Sequence, residues 1–383
     1  MAAKILISAG EASGDRYASR LVELLRARRP DLEFFGCAGV AMRAAGVRAV
    51  VDAESLSVVG LVEVVRHLPR IHGEYRKLLA AAARERPVAA VLTDSSGFHL
   101  RVAPKLKALG VEVFYLVAPQ AWAWREGRVR VLRRNVKELH CIFPFEEEWF
   151  QSRGVPAFYI GHPLAGMVQP RWSRQEFFER CGLPAGQPLL TLCPGSRRGE
   201  VFRHLPVLAG ALEKIRARMK VTVVLALPGG ASWTGESAVG AFVRQTGSVP
   251  VEGETWDAMA HADLTMPASG TVTVEAALLG APMVTYYRVS PLTYWIGRPL
   301  VKTPYFSMVN LVAGKRVVEE LIQHRCTADE LARAALALLG DENAKTRMRA
   351  ELSEVATLLR TDQDPLDQSA ARIAASLRLR GVT

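Results

Sequence analysis

Ser8-Ala9-Gly10-Glu11-Ala12-Ser13-Gly14-Asp15 follows the apolar run Ile5-Leu6-Ile7 and opens a helix-like pattern over 15–28. In the other half, Pro267-Ala268-Ser269-Gly270-Thr271-Val272-Thr273-Val274-Glu275 does the same after an apolar run at 263–266. A strand, a glycine-bearing turn and a helix form the repeating unit of an α/β layer. Such layers bind ligands outside the carboxyl ends of their strands. Two layers in one chain predict an α/β protein with parallel sheets facing a cleft, one substrate per half.

Working outward, strand-like and helix-like stretches alternate throughout, as in parallel sheets covered on both faces. Strands are expected near 4–9, 33–37, 88–93, 111–116 and 139–143, with helices at 15–28, 71–85, 99–109 and 125–135. Residues 157–163 read as a last strand and turn, and the Pro-, Gly- and charge-rich segment 164–187 as the interdomain linker. Strands follow at 189–193, 221–227, 263–266 and 282–287, with helices at 200–218, 235–246, 255–261 and 271–280 and a helical tail at 327–359 and 366–380. This predicts domains at 1–170 and 171–360 and a C-terminal helix within 361–383.

Composition narrows the class. Apolar residues make up 49% of the chain, which argues against disorder. The formal charge is +11. Much of the excess lies in 101–137, where Arg101, Lys105, Lys107, Arg125, Arg128, Arg130, Arg133, Arg134 and Lys137 face only Glu112 and Glu126. That field attracts phosphates or an anionic membrane surface, or is a solvated helix face. No helix-turn-helix, zinc-finger or RNA-recognition signature accompanies it, so nucleic acid is not an expected partner. Cys37, Cys141, Cys181, Cys193 and Cys326 are scattered without a C-x-x-C pair, as in a cytosolic protein with reduced thiols. Ile5-Leu6-Ile7 is too short for a signal peptide, and no apolar run reaches the ~20 residues of a bilayer span, so membrane contact is expected to be peripheral.

Several stretches can carry chemistry. Gly10 and Gly14 allow close backbone approach at a strand-to-helix turn, and Asp15 or Ser13 can cap the helix. The turn is not G-x-G-x-x-G, and no acidic residue ends the second strand, which disfavours a dinucleotide dehydrogenase. Ser269, Gly270 and Thr271 sit at a predicted helix start, where free N–H groups and the helix dipole favour a phosphate. Glu275, one turn on, can accept hydrogen bonds from a ribose diol. Arg197, in Pro194-Gly195-Ser196-Arg197, can grip a diphosphate with its planar fork. Asp94 follows the apolar run 88–92 and suits either general-base work or capping of the next helix. Trp122 and Trp124, beside Arg125, suit a sugar ring, a membrane interface or core packing. Val58, Leu61, Val62, Val65 and Leu68 form an apolar stripe bordered by Arg66, Arg70, Arg76 and Lys77, the pattern of a segment touching lipid or of a core-facing helix. Metal ligation has little support: His99, His140 and His162 share no ligand spacing, and Asp362-Gln363-Asp364 lies in a polar break and reads as a turn.

Taken together, these motifs resemble the lipid-A-disaccharide synthase family, glycosyltransferases of the GT-B type. The resemblance rests on residues 9–15, Pro119-Gln120-Ala121-Trp122-Ala123-Trp124, Gly161-His162-Pro163, Pro194-Gly195-Ser196-Arg197, Ser269-Gly270-Thr271 with Glu275, and Asn310-Leu311-Val312-Ala313-Gly314 followed by Glu320-Leu321-Ile322-Gln323. It implies two Rossmann-like domains with a C-terminal helix crossing back to the first. It also implies transfer of 2,3-diacylglucosamine from its UDP form to the 6-hydroxyl of 2,3-diacylglucosamine 1-phosphate, with inversion. Asp94 is then the expected base, and no metal or other cofactor is expected. Arg197, Ser269, Gly270, Thr271, Glu275, Asn310, Gln323, Gly10, Ser13 and Gly14 are the expected UDP-sugar residues. The 58–68 stripe with Arg66, Trp122, Trp124 and Arg125 is the expected acceptor and membrane surface. The family further implies a peripheral protein of the cytoplasmic inner-membrane face in a Gram-negative bacterium, and a homodimer entwined through its C-terminal parts. One stretch departs from the pattern: where the family usually reads Pro-Asp-Phe-Asn, this chain has Ser96-Gly97-Phe98-His99. Competing readings are a UDP-N-acetylglucosamine 2-epimerase-like enzyme, which needs no apolar acceptor surface, and a non-catalytic nucleotide- or lipid-binding protein.

Overall fold

The computed structural model describes residues 3–56, 61–124, 126–229, 233, 235–298, 301 and 303–379, with the backbone alone at 61–67, 292, 296, 378 and 379. The chain divides into two compact units, Met1–Pro163 with Leu359–Thr383, and Leu164–Leu358.

The first unit holds β1 (Lys4–Ala9), β2 (Glu33–Ala38), β3 (Arg48–Asp52), β4 (Ala89–Thr93), β5 (Glu112–Leu116), β6 (Glu138–Cys141) and β7 (Ala157–Tyr159). They form one parallel sheet in the order β3-β2-β1-β4-β5-β6-β7. Both faces are covered by helices, so the central strands are apolar along their whole length rather than alternating. Ile5, Leu6 and Ile7 of β1 and Ala89, Ala90, Val91 and Leu92 of β4 are fully buried.

The second unit repeats the plan. It holds β8 (Leu189–Cys193), β9 (Thr222–Leu227), β10 (Val249–Glu252), β11 (Leu264–Pro267), β12 (Val284–Tyr287) and β13 (Glu319–Ile322). Four pair as β10-β9-β8-β11, all parallel. The parallel pair β12-β13 joins that layer through bridges at Thr265–Met283 and Ala268–Tyr286.

In each unit the winding reverses beside the first strand, between β1 and β4 and again between β8 and β11. Loops at the carboxyl ends of two such strands splay to opposite faces and leave a crevice. Ala9 pairs with Thr93 and Cys193 with Pro267, so the register sets Gly10 beside Asp94 and Pro194 beside Ala268.

Two expectations are corrected, and the Asp362-Gln363-Asp364 stretch is the expected break before the last helix. Residues 164–187 are not all linker: Arg174–Cys181 is helical, started by a capping box of Ser173 and Glu176 and stopped by Gly182 at φ 62°. Asp15 does not cap its own helix, Ala12–Arg28; its buried carboxylate accepts from the amides of Gly39, Ala41 and Met42 and caps the short helix Val40–Ala44. Asp364, in the Asp-Gln-Asp stretch, accepts from the Asp367 amide at the start of the helix Pro365–Leu379. That helix packs on Ala12–Arg28, with Ala370, Ile373 and Leu377 buried. Arg28 forks onto Asp367 at 2.7 Å, and Arg372 reaches Glu138 at 2.8 Å.

Candidate active site

At the crevice of the first unit, Asp94 directly follows β4 with φ 53°, and Ser95 comes next at φ 33°. Two adjacent non-glycine residues in the left-handed region are uncommon and cost energy that neighbouring contacts must supply. The Asp94 carboxylate accepts from the amides of Gly10 at 2.9 Å and Glu11 at 3.2 Å. Burial, opposed by the Gly10 amide, raises its pKa well above the usual carboxylate value. A carboxylate raised in this way is a stronger base near neutral pH than a solvated one.

The glycines of the first loop serve this residue. A Cβ on Gly14 would lie 1.6 Å from Asp94 Oδ2, and one on Gly10 would lie 2.1 Å from Ser95 Oγ. The close approach they permit here is that of Asp94 and Ser95. Ser13 is half-buried in the same first helical turn.

Behind Asp94, the Tyr115 hydroxyl donates to the Asp94 carbonyl at 2.6 Å, and His99 Nδ1 lies 3.0 Å from the same oxygen. His99 Nε2 lies 2.7 Å from Ser8 Oγ. The ring is fully buried, and burial lowers its pKa to about 4, so the imidazole is neutral. In front, Arg128 donates to Ser96 Oγ at 2.8 Å and lies over the Trp124 ring at 4.9 Å.

Trp122 does not offer an open aromatic face. It is 8% exposed, donates from Nε1 to Glu146 at 2.9 Å and packs edge-on against Phe145. Glu146 also accepts from the amides of Ile142 and Phe143, and burial pushes its pKa up to about 7. Neither Glu146 nor Tyr115 stood out in the sequence. Pro144 followed by Glu146 is a helix-start signal for the first, while nothing distinguishes Tyr115 within an apolar strand. Val58 and Arg125 lie outside the described residues. Leu61, Val62, Val65 and Arg66 fall in the first turns of the helix Leu61–Glu85, their side chains outside the described set; Leu68 is 43% exposed.

The crevice of the second unit collects the other predicted residues. Arg197 precedes the helix Arg198–Arg216 and lies exposed beside Glu200. Gly195 has φ 126°, and a Cβ there would press on Glu200. His204 ties this loop to the one after β12: Nδ1 faces the Pro194 carbonyl at 2.7 Å, and Nε2 accepts from the Arg288 amide at 3.1 Å. The Tyr287 hydroxyl donates to Glu200 at 2.8 Å. Neither His204 nor Tyr287 carried a motif signal.

Across the crevice, the Ser269 amide donates to the Tyr286 carbonyl and its hydroxyl to the Phe306 carbonyl. Thr271 begins the helix Thr271–Leu278 and is exposed, and Glu275 is half-buried one turn further. Helix starts present N–H groups without intrahelical partners, which suits an anion. Asn310 is buried with its amide fully used. It donates to the Val318 carbonyl and to Glu320, and it accepts from the amides of Val317 and Val318. Its side chain therefore holds the loop in which Glu320 accepts from the amides of Phe306 and Ser307. Gln323, at φ 53°, brackets Val289 with one bond from its amide and one to its carbonyl.

Among the described residues there is no group of three or more His, Cys, Asp or Glu able to hold a metal ion. Nor is any described helix long and apolar enough to cross a membrane.

Two parallel α/β units with a ligand crevice at each reversal of winding define a protein of the GT-B type. A solved structure of UDP-GlcNAc 2-epimerase from Neisseria meningitidis, bound to UDP-GlcNAc, shares this fold with a TM-score of 0.63, at 10% identity over 98% of this chain and 100% of that one. The lipid-A-disaccharide synthetase family model matches residues 5–374, and the chain belongs to that family. It is 57% identical to a lipid-A-disaccharide synthase of Solibacter usitatus over 355 residues, 92% of each chain. It is 42% identical to one of Koribacter versatilis over 373 residues, 97% of each.

Proposed function

We propose that this protein transfers 2,3-diacylglucosamine from UDP-2,3-diacylglucosamine to the 6-hydroxyl of 2,3-diacylglucosamine 1-phosphate. Family membership over nearly the whole chain supports the reaction. The observation that carries the mechanism is the Asp94 carboxylate, held by two backbone amides at the crevice of the first unit with a raised pKa. Asp94 takes the proton from the acceptor 6-hydroxyl. The oxygen forms the β-1,6 bond at the donor anomeric carbon while the bond to UDP breaks on the opposite face, so configuration inverts. The donor carbon passes through an oxocarbenium-like state, as in glycoside hydrolysis. Arg197 and the amides of the 269–271 turn stabilise the departing diphosphate, and Glu275 holds the ribose.

The same reading extends to the surroundings. The 58–68 stripe, with Arg66 and the basic 101–137 stretch, holds acylated substrates at an anionic inner-membrane surface from the cytoplasmic side. Two copies pair through their C-terminal parts.

The test is UDP release from UDP-2,3-diacylglucosamine in detergent, with and without the acceptor and a chelator. Release that requires the acceptor and survives chelation is expected. Release or isomerisation of a soluble UDP-sugar without lipid would favour an epimerase-like enzyme instead. UDP binding with no turnover of either lipid would favour a binding protein.

A further inference from the structure

We infer that His99 and Tyr115 are positioning residues for the base, holding the left-handed Asp94–Ser95 turn through one shared carbonyl oxygen. The inference rests on the reading of Asp94 as the base. Asp94 is gripped at both ends: Gly10 and Glu11 amides hold the carboxylate, and Tyr115 and His99 hold the carbonyl. A carbonyl oxygen only accepts, so His99 Nδ1 carries the proton and Nε2 accepts from the Ser8 hydroxyl. The tautomer is thus set by geometry. Tyr115 is fully buried on β5, next to β4 in the sheet, and its ring meets the His99 ring edge-on at 6.4 Å.

The arrangement has a directional consequence. Residues 94 and 95 both have positive φ, and a chain without side-chain donors behind it relaxes from that region. Rotation of the Asp94 peptide carries the carboxylate away from the Gly10 amide. His99 does not act on substrate itself, because its ring is fully buried and both nitrogens are engaged. It works through Asp94.

Side-chain geometry separates this role from simple packing. In asparagine, Nδ2 is bonded to Cγ as Nδ1 is in histidine, so H99N keeps a donor toward the Asp94 carbonyl while losing the reach to Ser8 and the ring contacts to Phe98 and Tyr115. H99L keeps apolar bulk and loses the donor. Y115F removes one oxygen and nothing else.

The experiment measures kcat and donor KM for the full chain carrying H99N, H99L, Y115F or D94N, using UDP release with both lipid substrates. H99L is expected to lower kcat about 100-fold, the scale of a ~1 Å misplacement, with donor KM little changed. H99N is expected to recover most of that loss, and Y115F to lower kcat about tenfold. Where H99L fails to fold, Y115F against the unaltered chain carries the test. Equal or better kcat for H99L than for H99N would overturn the inference, as would Y115F at full rate while D94N is inactive. D94N at full rate would overturn the base reading, and the inference with it.

Discussion

Gly14→Ala sets activity against stability. Gly14 lies in the first turn of the helix Ala12–Arg28 at ordinary negative φ, so alanine suits the backbone and adds about 0.5–1 kcal/mol of helix preference. Its Cβ, however, would stand 1.6 Å from Asp94 Oδ2 and 2.7 Å from Cγ. An ordinary carbon–oxygen contact is about 3.3 Å, so the carboxylate must retreat by about 1.7 Å, and Thr93 Cγ2 at 3.1 Å blocks sideways escape of the helix. That displacement breaks the 2.9 Å bond from Gly10, at a cost of about 1–3 kcal/mol. The two effects on folding oppose each other, and stability is expected to fall by about 0–2.5 kcal/mol. Catalysis has no such compensation. A base moved by more than 1 Å loses about 100-fold in kcat, a barrier increase of about 2.7 kcal/mol. UDP release under saturating substrates, beside a urea unfolding curve, reads both quantities. A folded variant with unchanged kcat would refute the seating of the base at Asp94.

Arg197→Ala is expected to weaken UDP binding and slow turnover by about 10- to 100-fold, read by titration with UDP and by kcat; unchanged UDP affinity would move the diphosphate elsewhere. Leu61→Glu is expected to reduce sedimentation with anionic vesicles while the unfolding midpoint holds; unfolding instead would make the stripe core. Relative to a His99→Asn variant, the stability of the parent is expected to fall as pH drops from 6.5 to 4.5. Burial depresses His99 to about 4 and His162 to about 3, so each contributes fully above 6.5 and loses about 1.4 kcal/mol per pH unit as acid approaches its folded pKa. Glu146, raised to about 7, acts oppositely, gaining the same slope as pH falls toward 4.5. The buried Asp94 carboxyl, also raised, acts in the same sense as Glu146, so the His99 contribution is read as the difference between parent and variant. A parent-minus-variant difference in urea-unfolding stability that is flat or rising on acidification through that window would contradict the account.

The strands legible in the sequence are those buried on both faces. β1, β4, β5, β8 and β9 are predominantly apolar rather than alternating, because a parallel sheet covered by helices leaves no polar side. β3, β10 and β13 were missed, and each is the outer strand of its layer. Arg-Ala-Val-Val-Asp, Val-Pro-Val-Glu and Glu-Glu-Leu-Ile carry the charge and proline that edge strands tolerate and that hide them from an apolar count. The helix Arg174–Cys181 had its signal in Ser173-x-x-Glu176, masked by the surrounding proline, glycine and charge.

By itself the sequence determined the α/β alternation, the loops that end the strands beside each reversal of winding, and the ordered motifs that mark the family. All of these are local patterns or their succession along the chain. Only the tertiary structure decided what Gly10, Gly14, Asn310, Trp122 and His99 do. Gly10 and Gly14 answer to a carboxylate about eighty residues away, Trp122 to Glu146, and His99 to Ser8 at the end of another strand. Hydrogen-bond partners of buried groups are chosen by which strands lie side by side. That choice is a property of the packed sheet, where each buried donor and acceptor must find a partner from whatever segment the fold brings near.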